Sequence, residues 1–133
     1  MPLSLAFTAC NRAADAVCAR CNNGRLRLYS GVMPATANVA LAGNTQLSEH
    51  AFASPAFAAA VNGMATANAI GTSVPTGSGT ATFFRTFEAD QTTVVYQGTA
   101  GTVGTDLLLN GATFVQGQGT IKITSHTYTQ PPV

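Results

Sequence analysis

All three cysteines fall within "TACNRAADAVCARCNNG" (8–24), and Cys18 and Cys21 stand in a C-x-x-C spacing. That spacing serves half of a zinc site, a dithiol–disulfide couple, or a pair of small buried hydrophobes. A structural zinc takes four ligands, usually as two spaced pairs. This sequence offers no second C-x-x-C and no closely spaced histidine pair, and His50 and His126 are isolated. A thioredoxin-like dithiol opens a helix after a strand, whereas Cys18 and Cys21 close one. At about 100° per residue, Cys10 and Cys21 lie nearly on one helix line with Cys18 about 60° away. All three then fall on or near an apolar face with Ala13, Ala14 and Val17. Packing is the expected role, and no metal or cofactor is expected.

The other reactive side chains form no recognisable constellation. No G-x-S-x-G elbow is present, and neither histidine has an aspartate near it in sequence. "GTAGTVGTD" (98–106) has evenly spaced glycines but lacks the GK[ST] of a phosphate loop, and no helical pattern follows it. Glu88 and Asp90 flank Ala89 at a strand end, where solvated carboxylates are ordinary. No enzyme is expected.

Composition narrows the class further. Charged residues make up 8% of the 133, against about 25% in an average soluble domain. A weakly charged surface rich in Thr, Ser, Gly and Asn suits a protein that lives against other subunits. The net charge of +1, with basic residues scattered apart from Arg25 and Arg27, gives no reason to expect nucleic acid. No apolar run approaches the roughly 20 residues of a membrane span. The start "MPLSLAFTAC" lacks the basic region of a secretory signal, so a chain made in the cytoplasm is expected.

The elements that must position these residues follow from periodicity. One domain is expected over 1–133, with a helix over about 9–21 and a β-sandwich over about 25–130. Thr8 is the expected helix cap, and Asn22-Asn23-Gly24 the stop. Strand patterns recur at 25–30, 47–53, 64–70, 80–89, 92–98, 106–110 and 119–129, separated by turn residues. "ADQT" (89–92) reads as a hairpin turn. Short strands at such spacing predict a mainly β, antiparallel, jelly-roll-like sandwich of about seven or eight strands with one N-terminal helix. Strict alternation in the last strand puts His126 on its more polar face beside Lys122, and Phe83 and Phe87 together on a core face. The loops 30–46 and 71–79 are long for a small domain, and at least one of them is expected to be ordered against a neighbouring subunit.

The stretches "GRLRLYSGVMPATANVAL", "FASPAFAAAVNGMATANAI", "GTATFFRTFEADQTTVVYQGTAGT" and "GTDLLLNGATFVQGQGTIKITSHTYTQP" span nearly the whole chain. In them it resembles a family of small virion structural proteins of tailed bacteriophages and prophages. The family pattern runs Y-[ST]-G-x-x-P, P-A-F, G-T-A-T-x-F-R, D-L-x-L-N and a final I-T-S strand; the cysteines lie outside it. The resemblance implies a non-enzymatic virion component, located in the virion. Its partners are then other virion proteins, foremost the major capsid protein, and copies of itself, with no nucleic acid and no membrane. A capsid cement or decoration protein is the first expectation. A tail, tail-fibre or baseplate component is the alternative, and a host-surface binding module the third. Arg25, Arg27, Arg85 and Tyr96 are the candidate interface residues, since Arg and aromatics often dominate interface energy.

Overall fold

The computed structural model describes residues 5–130. The outermost positions of the expected domain lie outside that range. Helix α1 (Phe7–Ala19) starts two residues earlier than the sequence suggests. Its N-cap is Ala6, which makes no side-chain cap bond, so Thr8 lies inside the helix. Tertiary contacts therefore hold this helix. Cys10, Ala14, Cys18 and, just beyond, Cys21 are buried. On a neighbouring stripe, polar side chains accept backbone N–H groups from segment 56–63: Asn22 from Ala56 (2.8 Å), Asp15 from Ala60 (2.9 Å) and Asn11 from Gly63 (2.7 Å). The helix stops as expected, with Asn23 in the left-handed region (φ 58°) followed by Gly24.

Among the described residues nine strands follow: β1 (Arg25–Tyr29), β2 (Gln46–Ala51), β3 (Met64–Thr66), β4 (Gly79–Thr80), β5 (Phe83–Phe87), β6 (Val94–Gly101), β7 (Leu107–Leu109), β8 (Thr113–Phe114) and β9 (Ile123–Thr129). The expected strand 80–89 divides into β4 and β5, and the two-residue β8, which pairs with β4, carries no sequence pattern of its own. Seven strands form one curled sheet in the order β2-β1-β5-β6-β7-β9-β3. Its pairings are antiparallel except β6 with β7. The fold is mainly β and sandwich-like with one N-terminal helix.

The concave face encloses a core of Leu26, Leu28, Phe84, Leu107 and Ile121, against which Ala14, Cys18 and Cys21 pack. The sheet's outer edges are both covered. Segment 71–76 bonds along β2 (Gly71 N–H to Ala51 O, 3.1 Å; Thr76 N–H to Leu47 O, 2.8 Å). Segment 58–61 does the same for β3 (Ala58 N–H to Thr66 O, 2.9 Å; Val61 N–H to Met64 O, 2.9 Å). Covered edges cannot template further strands.

Two details of strand geometry depart from simple alternation. Between β7 and β9, Leu108 faces Ser125 but Leu109 faces Ile123, so Thr124 is the extra residue of a bulge. The bulge reverses the faces, and His126 turns into the core instead of standing on a polar face beside Lys122. In β5 all five residues are buried. Phe84 belongs to the concave core, and Phe83 and Phe87 lie on the opposite, convex face, where Phe83 stacks on Tyr29 at 5.2 Å. The "ADQT" turn is present: Glu88 N–H reaches Thr93 O (2.9 Å), and Asp90 accepts the N–H groups of Thr92 and Thr93 (2.9 Å each).

Gly24 joins α1 to the sheet where no side chain fits, because a Cβ there would lie 2.0 Å from Phe87 O. Gly24→Ala should lower stability by about 1–3 kcal/mol, the usual cost of overpacking. Gly43, whose φ is +70° but whose surroundings are open, should pay only the smaller backbone cost on the same change. Urea unfolding of both variants checks the order.

Candidate interaction surface

Two-sided burial of β5 requires a cover on the convex face, and the loop 31–45 supplies it. Arg85, only 4% exposed, projects from β5 into this layer. Its Nη2 donates to Val39 O (2.5 Å) and Thr36 O (3.3 Å), and its Nε to Gln97 Oε1 (3.0 Å). Gln97 Nε2 in turn donates to Pro34 O (2.8 Å), and Thr82 Oγ1 to Gly31 O (2.6 Å). Asn44 closes the loop's base: Nδ2 donates to Ser30 O and Val32 O (3.0 Å each), and Oδ1 accepts from Ala42 N–H (3.1 Å). The loop's carbonyls thus point inward to a guanidinium and two amides. Its apolar side chains point out: Val32 is 87% exposed, Val39 46%, Met33 and Leu41 37% each.

The expected interface residues are therefore distributed unequally. Arg85 is engaged inside the fold and is not available as a surface anchor. Tyr96 is half-buried against the core, edge-on to Phe84 at 5.9 Å and hydrogen-bonded to His126. Arg25 and Arg27 are half-buried and share Glu49, at 3.6 Å and 2.6 Å, while the Arg27 guanidinium lies 4.3 Å over the Phe87 ring. Sequence reasoning singled out this loop as a contact segment but missed the outward apolar surface that it presents. Its only signal was the run of Val, Met, Ala and Leu within a stretch too Gly- and Pro-punctuated to be a strand.

The polar groups of the core are mutually satisfied. His126 Nδ1 donates to Asp106 O (2.9 Å), a pure acceptor, which leaves Nε2 to accept the Tyr96 hydroxyl proton (2.6 Å). His50 repeats the scheme, donating from Nδ1 to Gly71 O (2.7 Å) and accepting from Ser48 Oγ at Nε2 (2.8 Å). Burial pushes both imidazoles below their usual range, only partly offset by those carbonyls. Burial likewise pushes the Cys18 thiol up to about 12, with Cys21 and Asp15 adding to it, and the Cys21 thiol up to about 11. Thiols so protonated are poor nucleophiles. Among the described residues, every buried side-chain nitrogen and oxygen has a hydrogen-bond partner, and no group of three His, Cys, Asp or Glu could hold a metal ion. These groups act as fasteners: His50 ties loop 71–79 to β2, and His126 ties the turn before β7 to β9 and β6.

Comparison with family models, with curated proteins and with solved structures finds no match to this chain.

The titrations set a pH window for stability. Both histidines have folded values below the ordinary 6.5, so below about that pH the unfolded chain binds protons that the fold refuses. Their stabilisation is complete above it and is lost as pH falls through the folded values. Cys18 and Cys21 act oppositely: with folded values above 9.0, their contribution is complete below it and is lost as pH rises past it. Calorimetry should find a higher Tm at about pH 7.5 than at about pH 5 or about pH 10. A Tm unchanged on either side would contradict the assignment.

Proposed function

We propose that this chain is a non-enzymatic virion structural protein, a cement or decoration subunit on the head of a tailed phage. The observation that carries the reading is the loop 31–45, an apolar outward surface on a backbone anchored from beneath by Arg85, Gln97 and Asn44. A preformed loop binds without the ordering cost of a mobile one. Full burial of a Val, Leu or Met side chain is worth about 1.5–3 kcal/mol, so Val32, Met33, Val39 and Leu41 supply enough for a modest interface. A capsid multiplies such interfaces, and a subunit that binds only the assembled lattice stabilises it by mass action at every copy. The low charge and the resemblance to phage virion proteins support the same reading.

Particles made without this chain should keep intact tails while their full heads lose resistance to heat or chelator. Val32→Asp should leave Tm nearly unchanged and weaken retention on heads by about tenfold or more, the scale of an interface hot spot. Stable heads with defective tails would overturn the capsid assignment.

A further inference from the structure

The sheet is closed at its outer edges but open in its interior. Strand β7 is only three residues long, and it meets β6 at Ala100 and Gly101 and β9 at Ile123, Ser125 and His126. Upstream of Leu107 the column that β7 occupies is vacant. There the N-terminal part of β6 faces the C-terminal part of β9 across a slot of about 160 Å³, lined by Tyr96, Gln97, Gly98, Asp106 and residues 126–129.

The backbone on both walls points into this slot. Ala100 N–H bonds to Thr82 O, so by antiparallel alternation Gly98 bonds to β5 and the N–H and C=O of Gln97 and Thr99 point away from β5. Thr99 confirms the direction, since its N–H is taken by Asp106 Oδ2 (2.9 Å). On the other wall, Gln130 N–H bonds to Gly63 O and Ala67 N–H to His126 O, so Tyr128 bonds to β3 while Thr127 and Thr129 point away from it. The Leu107–His126 pairing takes the Thr127 N–H to Asp106 O and leaves its C=O, while among the described residues no strand of the sheet pairs with Gln97 or Thr129 from across the slot.

We propose that this slot is a strand-acceptor site, filled in the virion by an extended segment of about three or four residues from a neighbouring, different virion subunit. The choice of donor rests on the function proposed above. The segment runs antiparallel to β9 and parallel to β6, the direction β7 already has in that column, with two backbone-presenting residues on the antiparallel side. Its inward-facing residue is small. The floor is formed by Tyr96, Tyr128 and His126, and even a Cβ on Gly98 would come within 2.8 Å of Asp106 Oδ2 and 2.9 Å of Phe84. The segment's C-terminal end meets the Asp106 carboxylate, so the donor is an internal or N-terminal stretch and not a free C-terminus.

The test is amide exchange read by mass spectrometry on fragments covering 94–99 and 124–130, for the free protein and for the protein in purified particles. Exchange in both fragments should slow by about tenfold or more in particles. Thr129→Pro removes one N–H that faces the slot and none that faces β3, and should cut retention on particles by about tenfold with a cooperative melt preserved. Should that variant fail to fold, the wild-type exchange decides alone. Chain present in particles with both fragments unprotected overturns the slot proposal and leaves the virion reading standing. Protection with a folded Thr129→Pro retained as well as wild type also overturns it, because the cover would not be a paired strand. A chain absent from particles overturns the virion reading and the donor with it.

Discussion

The organising constraint is that β5 is buried on both faces. "FFRTF" sits in the middle of a single sheet, so Phe84 and Thr86 need one cover while Phe83, Arg85 and Phe87 need another. Curling of the sheet and the docking of α1 answer the first need, with Cys18 and Cys21 set against the concave core. The second is met without a second sheet. A loop with little regular structure is drawn over the convex face because a buried guanidinium has to find acceptors. Arg85 finds them in the carbonyls of Thr36 and Val39 and in Gln97.

That solution has a consequence for the surface. A loop whose carbonyls are turned inward presents side chains outward, and here those are valine, methionine and leucine. Arg85 and Gln97 spend their polar groups inside the fold, whereas the loop above them exposes apolar side chains. Such a division leaves an apolar loop that a contact with another molecule would cover, which is what the proposed role asks of it. Tyr96, His126, His50 and Ser48 show the same economy, each bonded to a partner within the chain.

Much of the fold is legible in the sequence wherever a local pattern and the tertiary environment agree. β1 alternates as "RLRLY" should, the "ADQT" turn has an aspartate suited to bond backbone ahead of it, and the cysteines pack along one helix stripe. What escapes local reading depends on single residues acting at a distance. The bulge at Thr124 reverses β9, and nothing within "TIKITSHTYT" announces it; the extra residue is defined only against Leu108 and Leu109. Phe83 and Phe87 share a face as alternation requires, but alternation cannot say that both faces of β5 are covered. Arg85 looks like a surface anchor in sequence because an arginine between phenylalanines on a strand is ordinarily solvated on one side. Only the return of residues 31–45 buries it.

The central claim is that Arg85 holds the loop in the form that presents its apolar surface. Amide exchange in Arg85→Met measures this most directly, since the change keeps a long apolar stem and removes the guanidinium. The account expects the Val39 and Ala42 amides to lose protection by about tenfold or more while β1 and β6 keep theirs. Unchanged protection across 31–45 would contradict it, and would mean that the loop stays in place without the interaction on which this description of the molecule depends.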